Sequence, residues 1–273
     1  MVDYSDTELG RATQYTDGLD AGLLYPIARS KTRRCSATLI LPFVGGDQWT
    51  AYELSWLGPG GLPQIAIAEF WVSCESHNIV ESKSLKLYLN SYNQHMMATW
   101  TAVEERLRAD LSAATGVAVE VTLYHLDEYP LQCPMVEPHG YCLDQRQVAI
   151  DTYTPEAGLL GVDGAHEVEE ILYSHLLRSN CPVTNQPDWA SVYISYRGAP
   201  INRDGLLAYL VSYRQHQDFH EQCVEQIFND IIAYCQPHEL SVYARYLRRG
   251  GIDINPFRSN HQPRPVIFRH VRQ

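Results

Sequence analysis

The chain has 273 residues, of which 45% are hydrophobic, and a formal net charge of -11 at pH 7. This length suffices for one large domain or two of ordinary size, and the composition is that of a globular protein with a buried core. The acidic balance argues against binding to the phosphate backbone of a nucleic acid, which needs a basic surface. Residues 1–15 are acidic and polar and no apolar run approaches the ~18 residues of a membrane span, so we expect a cytoplasmic protein without a signal peptide.

The periodicity of apolar residues predicts the elements in chain order. In the first half we expect a strand at 63–75, helices at 82–93 and 98–114, and strands at 117–126 and 146–153. A further helix is predicted at 165–179. In the second half we expect a strand at 190–198, helices at 204–214 and 219–234, and strands at 240–249 and 252–259. Each half therefore runs from strand through two helices to two strands.

An internal repeat supports this division into halves. The stretch "LNSYNQH" at 89–95 matches "LVSYRQH" at 210–216 in five of seven positions, at an offset of 121 residues. We therefore predict an α+β fold of two tandem units, residues 1–153 and 154–273. Each unit is expected to have helices layered on one face of a mostly antiparallel sheet.

The seven cysteines are scattered and include no C-x-x-C pair, so we expect neither a disulfide framework nor a metal site. Cys181 differs from the others because Pro182 follows it within the polar stretch "NCPVTNQPDW", where Asp188 comes seven positions later. This setting is compatible with an inert thiol in a loop. It is also compatible with a nucleophile that the nearby carboxylate assists.

Three further polar clusters each have two interpretations, and the first two of them differ between the halves of the repeat. His220 and Glu221 place an acidic residue at a helix start, or they bind a ligand there. The stretch "ESKSLKLY" at 81–88 begins a helix with a serine cap, or it binds an anion. Residues 248–251, "RRGG", form a basic turn or hold a phosphate. One composite site between the units would unite the functional interpretations, and ordinary surface divergence would explain the others.

The stretch at 81–88 resembles the signature of the QueF family, the NADPH-dependent 7-cyano-7-deazaguanine reductases. That signature reads Glu-(Ser/Leu)-Lys-(Ser/Ala)-x-Lys-x-aromatic, and the positions that satisfy it are Glu81, Ser82, Lys83, Ser84, Lys86 and Tyr88. The blocks "SNCPVTNQPDW", "FHEQCVEQI" and "YLRRGGIDINPFRS" also resemble family blocks, in the family's order. The arrangement is similar to the two-module form of the family.

The resemblance implies a tunnelling fold, whose unit is ordered β-β-α-α-β-β. It also implies that the nitrile of free 7-cyano-7-deazaguanine is reduced to a primary amine in queuosine biosynthesis, a pathway of transfer RNA modification. Two NADPH molecules would be used for each product. By the same resemblance we expect a homodimer that needs no metal and does not bind nucleic acid directly.

The resemblance also implies roles for individual residues. Cys181 would form a covalent thioimide with the nitrile, and Asp188 would donate a proton to its nitrogen. The residues expected to bind the deazaguanine are Val80, Glu81, Ser82, His220 and Glu221. Those expected to bind NADPH are Ser82, Lys83, Arg249 and Gly250.

Two other functions are compatible with the residues. One is a cyclohydrolase or amide hydrolase of the tunnelling fold, in which Cys181 is a nucleophile or a metal ligand. The other is a purine- or pterin-binding module without catalytic activity.

Overall fold

A computed structural model of the protein describes residues 18–31, 33 and 41–273, and these form two compact units. Unit 1 comprises Asp47–Pro134, Arg248–Ile254 and the described residues up to Arg33. Unit 2 comprises Met135–Leu247, Asn255–Gln273 and residues 41–46. The boundary between residues 153 and 154 stays a prediction. None of the helices in these described ranges is long and apolar enough to cross a membrane.

Unit 1 is built from short helices and a small antiparallel sheet. Its elements are β1 (Pro26–Ala28), β2 (Val44–Leu57, which belongs to unit 1 from Asp47 onward), β3 (Pro63–Ser73), β4 (Asn78–Val80), α1 (Ser82–Asn90), α2 (Trp100–Thr115), β5 (Glu120–Tyr124) and α3 (Tyr129–Gln132). Strands β5, β3 and β2 are neighbours in that order, and β3 is antiparallel to β5. Strand β1 pairs antiparallel with β4.

The predicted helical stripe at 98–114 is confirmed in α2. Val103, Leu107 and Leu111 are buried in the core of unit 1, and the helix contacts β4 and β5. The Thr99 hydroxyl caps its first turn by accepting the Ala102 N–H at 3.1 Å. The N-terminal cap and the apolar stripe therefore both stabilise the same helix.

Unit 2 follows the order β-β-α-α-β-β after a short edge strand. Its elements are β6 (Tyr141–Cys142), β7 (Val168–Asn180), β8 (Pro187–Gly198), α4 (Arg203–Ser212), α5 (His220–Cys235), β9 (Glu239–Tyr246) and β10 (Ile252–Ser259), the last belonging to unit 2 from Asn255 onward. Strands β7 to β10 pair antiparallel in chain order, while β6 is parallel to β7. Helix α4 contacts β7, and α5 contacts β9. The α+β fold class with antiparallel sheets is confirmed.

Two sequence-based assignments are wrong, and one long strand was not predicted. The helix predicted at 165–179 is wrong, because this segment is β7; a register shift between Ser174 and Leu177 interrupts its alternation and mimics a helical period. The strand predicted at 146–153 is also wrong: alternate residues there are half-buried, but the segment joins no strand. Strand β2 was missed because a continuous run of buried residues in its middle hides the alternation.

The sequence repeat has a structural counterpart in a pair of buried tyrosines. In unit 1 the hydroxyls of Tyr88 and Tyr92 lie 2.8 Å apart, and their rings meet edge-to-face with centroids 5.4 Å apart. In unit 2 the hydroxyls of Tyr209 and Tyr213 also lie 2.8 Å apart, with ring centroids at 5.5 Å. Two units that repeat the same buried contact at the same sequence offset support the interpretation of an internal duplication.

Candidate active site

Cys181 lies at the start of the loop that joins β7 to β8. Its N–H donates to the carbonyl of Gln186 at 2.9 Å, and its own carbonyl accepts the N–H of Asn185 at 3.0 Å. Asn185 has a φ of 56°, in the left-handed region that asparagine tolerates in turns. The predicted loop is present, but it closes on itself, and Cys181 is only 5% exposed. The thiol is therefore enclosed by its own loop.

Main-chain bonds hold this loop against the segment that leads into α5. The N–H of Asn180 donates to the carbonyl of His216 at 2.7 Å, and the carbonyl of Asn180 accepts the N–H of Asp218 at 3.2 Å. Both main-chain groups of the residue before Cys181 are thus bonded to the approach to His220. Within unit 2, this fixes the cysteine loop relative to the first turn of α5.

Asp188 lies inside β8, directly opposite Ser179 of β7. The sequence had placed it before the first strand of the second half, which is wrong because β8 begins at Pro187, a residue that strands accept at their first position. The Asp188 side chain is 4% exposed, and its Oδ2 lies 3.4 Å from Nε2 of His220. A buried carboxylate and an imidazole are therefore neighbours close to the cysteine loop.

His220 is the first residue of α5, and its ring is held by an aromatic neighbour from β9. The imidazole lies parallel to the ring of Tyr246, with centroids 3.6 Å apart and planes within 2°. Its side chain is 13% exposed. The sequence does not single out Tyr246, because no local pattern in β9 indicates which of its tyrosines contacts the first residue of α5.

Glu221 follows His220 in the first turn of α5, where the helix dipole favours an acidic side chain. It is 3% exposed. One turn later Glu225 is also buried, but its Oε1 accepts from Nη2 of Arg258 at 2.8 Å. The two glutamates of α5 thus have different surroundings: Glu225 belongs to a structural ion pair, and Glu221 lies beside His220.

Cys223 lies on α5 one turn after His220, and it is the other thiol near this cluster. It is fully buried, and burial raises the pKa of its thiol far above the ordinary value, with the Asp218 carboxylate adding to the effect. Because the thiolate is the reactive form, this raised pKa disfavours Cys223 as a nucleophile. Cys181 remains the nucleophile candidate in this cluster.

The residues at 80–84 form a second cluster, in unit 1. Both carboxylate oxygens of Glu81 cap α1, accepting the N–H groups of Lys83 at 2.7 Å and Ser84 at 2.8 Å. The helix is therefore capped by a glutamate and not by a serine, contrary to one interpretation of the sequence. Burial raises the pKa of Glu81, and the hydrogen bonds from Lys83 and Ser84 oppose the rise. Val80 is also buried, and the Ser82 hydroxyl lies 3.4 Å from Glu81.

A pocket of about 280 Å³ lies in unit 1, and Gly250 and Lys86 are among the residues that line it. Gly250 has a φ of 61°, and a Cβ there would lie 3.1 Å from the Lys86 side chain, so glycine keeps the space beside the lysine open. Arg249 lies in the same turn, where its main-chain N–H donates to the carbonyl of Ile252 at 2.9 Å. Lys86 belongs to the family signature, but the resemblance does not imply that it binds the cofactor.

In the same unit, Arg248 pairs with Glu53 at 2.6 Å and lies over the ring of Tyr52 at 4.1 Å. The basic turn predicted at 248–251 is thus present in the structure. Among the residues that the structure describes, no group of three or more His, Cys, Asp or Glu side chains is arranged to bind a metal. The expectation that the two clusters form one composite site stays a prediction.

Comparisons with known proteins identify the family to which the chain belongs. Residues 15–123 match the family described as "Nitrile reductase, 7-cyano-7-deazaguanine-reductase N-term", and residues 187–265 match "QueF-like protein". The chain is 53% identical to an NADPH-dependent 7-cyano-7-deazaguanine reductase of Albidiferax ferrireducens, over 98% of each chain. The chain belongs to the QueF family of nitrile reductases, which confirms the resemblance found in the sequence.

A crystal structure of the archaeosine synthase QueF-Like in the apo form is also similar to part of the chain. It is 20% identical, with a TM-score of 0.31, and the match covers 37% of this chain and 100% of that one.

Proposed function

We propose that this protein is an oxidoreductase that reduces the nitrile of 7-cyano-7-deazaguanine to the aminomethyl group, using NADPH, in queuosine biosynthesis. The observation that carries the proposal is the buried Asp188–His220 pair, 3.4 Å between Oδ2 and Nε2, beside the closed loop of Cys181. A nucleophile with a proton-transferring pair is what addition to a nitrile requires. The 53% identity with a reductase of this specificity supports the choice of substrate.

In the proposed reaction the Cys181 sulfur adds to the nitrile carbon, forming a C–S bond as one π bond of the nitrile breaks. The electron pair of that π bond goes to nitrogen, which takes a proton from Asp188, and the product is a covalent thioimide. His220 is close enough to exchange protons with Asp188 between steps. When the carbon accepts hydride and the C–S bond breaks, the thiolate of Cys181 is released for the next turnover.

Recognition of the deazaguanine is assigned to buried carboxylates. Glu221 would accept hydrogen bonds from a ring N–H and the exocyclic amine, a pairing that a carboxylate can make with both oxygens. His220 lies next to it in the chain. In unit 1, Glu81 retains acceptor capacity beyond its two capping bonds, because two carboxylate oxygens offer about four lone-pair sites. Its neighbours Val80 and Ser82 complete the proposed substrate contacts.

The residues of unit 1 also fit the phosphates of NADPH. The glycine turn at Gly250 leaves open space beside Lys86, and Arg249 adds a further positive charge in that turn. With Ser82 and Lys83 at the N-terminus of α1, these residues would hold the cofactor through its negative charges. When bound, NADPH supplies one hydride for each of two reductions, so one nitrile, two NADPH and two protons give one amine and two NADP⁺.

The protein is further proposed to act in the cytoplasm as a homodimer on the free base, without binding nucleic acid. The net charge of -11 supports the last point, because a phosphate backbone would be repelled. Size-exclusion chromatography with light scattering measures the oligomeric state, and a mass of one chain contradicts the dimer. Addition of transfer RNA should leave both the elution volume and the reaction rate unchanged.

The decisive assay mixes the purified protein with 7-cyano-7-deazaguanine and NADPH, and measures NADPH oxidised against amine formed. We expect two NADPH per amine and no amine without NADPH. Release of ammonia with a carboxylic acid as product would indicate a hydrolase instead of a reductase. Absence of any NADPH oxidation or product would indicate a binding protein. The Asp188→Asn variant is expected to lower kcat by about 10²- to 10⁴-fold, the usual contribution of a positioned acid.

A further inference from the structure

We propose that Tyr246 is a positioning residue for His220: its ring fixes the plane of the imidazole so that Nε2 faces Asp188. This inference rests on the proposed function for its effect on rate, while its structural part is independent of any activity. The inference concerns a residue that stacks on His220 and acts on the proposed chemistry through that histidine.

The stacking geometry is the first observation. Aromatic side chains usually meet offset or edge-to-face, as Tyr213 and His216 do in the same unit, where the planes are 83° apart. His220 and Tyr246 are instead parallel within 2°, and their centroids are 3.6 Å apart, which is van der Waals contact over the whole ring. Rotation of the imidazole about its Cβ–Cγ bond would drive ring atoms into Tyr246. The tyrosine therefore restricts the Cβ–Cγ torsion, whose rotation would turn Nε2 away from Asp188.

The backbone of Tyr246 is the second observation, because it is held by side chains. Its N–H donates to Oδ1 of Asn255 at 3.0 Å, and its carbonyl accepts from Nε2 of Gln273 at 2.5 Å. The regular pairing of β9 with β10 covers only Tyr243 and the residues before it, and Pro256 has no N–H to extend it. On its other side Tyr246 pairs with Ala190 of β8. Hydrogen bonds from side chains on one side, and strand pairing with β8 on the other, therefore fix the main chain that carries the aromatic ring.

Burial of the phenol is the third observation. Tyr246 has no exposed surface, and burial raises the pKa of its hydroxyl well above the ordinary value. The Tyr246 ring therefore stays uncharged near neutral pH, and the stacking does not depend on ionisation of the tyrosine hydroxyl. A Phe side chain offers the same face, and a Leu side chain fills part of the volume without offering a ring.

The kinetic test compares Tyr246→Phe and Tyr246→Leu with a control on the same strand, Tyr243→Leu. Tyr243 is also buried but packs edge-to-face on Phe257 and Phe268. For Tyr246→Leu we expect kcat for nitrile-dependent NADPH oxidation to fall about 10- to 100-fold, the cost of a misplaced catalytic group, with the KM for NADPH unchanged. Tyr246→Phe and Tyr243→Leu should retain the wild-type kcat. A folded Tyr246→Leu variant with wild-type kcat, or a Phe variant as slow as the Leu variant, overturns the proposal.

A spectroscopic measurement separates this inference from the proposed function and does not require the Leu variant to fold. Protons of an imidazole stacked on a phenol face resonate upfield, and comparison with His220→Gln assigns the signal. We expect the upfield His220 signal in the wild type and in Tyr246→Phe, and partial loss in Gln273→Ala, which frees the tyrosine carbonyl. A wild-type His220 signal without an upfield shift rejects the positioning role. Wild-type protein with the shift but without NADPH oxidation rejects the proposed function alone.

Discussion

Nε2 of His220 lies 3.4 Å from Oδ2 of Asp188, although one residue begins a helix and the other lies inside a strand. The contact exists because the main chain of Asn180 bonds to the segment just before α5, which brings the β7–β8 hairpin to the helix start. The Asp188–His220 pair is therefore assembled by the packing of the protein itself. Such preorganisation is what would let the proposed proton-transferring pair contribute to catalysis.

The covalent step gives the first prediction. Incubation with 7-cyano-7-deazaguanine and no NADPH should add the mass of the nitrile to the intact protein, and Cys181→Ala should abolish this addition. Cys235→Ala is the matched control, because Cys235 is equally buried and burial raises the pKa of its thiol to about 11, which keeps it unreactive. An adduct that survives in Cys181→Ala would assign the nucleophile to another residue.

The two buried glutamates of α5 are expected to respond differently to the same substitution. Glu221→Gln should raise the KM for the nitrile about 10- to 100-fold, since it removes a hydrogen bond to a charged group worth ~1.5–3 kcal/mol. Glu225→Gln breaks the buried pair with Arg258 and should instead lower the free energy of unfolding by about 3 kcal/mol. Steady-state kinetics and denaturant unfolding distinguish them. Equal effects on KM in both variants would contradict the recognition role.

The repeated tyrosine contact predicts matched stability losses in the two units. The Tyr88 hydroxyl donates to Asp110 at 2.8 Å, and the Tyr209 hydroxyl donates to Asp230 at 2.5 Å. Removing either hydroxyl leaves a buried neighbour without its bond, so Tyr88→Phe and Tyr209→Phe should each cost about 1–3 kcal/mol. Urea unfolding monitored by circular dichroism measures the loss. A large effect in one variant and none in the other would mean that the two contacts are not energetically equivalent.

The stacked histidines of unit 2 predict a loss of stability in acid. His175 and His270 have ring centroids 4.9 Å apart, and burial lowers the pKa of both. Arg272 lowers both further, while Asp144 opposes the shift at His175. Because the folded-state pKa values lie below the ordinary value of about 6.5, their stabilising effect is complete above pH ~6.5 and is lost as the pH falls through the folded-state values.

Melting temperatures measured between pH 5 and pH 7.5 check this expectation. His270→Phe keeps an aromatic ring against His175 and cannot be protonated, so its melting temperature should fall less steeply with acid than that of the wild type. Parallel pH profiles for the two proteins would show that the histidine pair does not control stability in this range.

Helix α2 was predicted correctly because the residues that indicate a helix lie within the helical segment itself. The apolar stripe Val103, Leu107 and Leu111 repeats at helical spacing and is buried as expected. The strand β7 was predicted as a helix because the register shift after Ser174 changes the alternation, and this shift depends on pairing with β8. Strand positions are thus partly set by a partner that lies elsewhere in the chain, which a pattern within one segment does not reveal.

The sequence by itself determined the family, through the signature at 81–88 and the blocks around Cys181 and His220, and it also determined the internal repeat. These features depend on residue identity and order, which the sequence states directly. Only the tertiary structure decided that Glu81 caps α1, that Asp188 lies beside His220, and that Tyr246 stacks on the imidazole. The physical reason is that such contacts depend on distances and ring orientations between separate elements. Those distances and orientations are set only when hairpins and helices pack together.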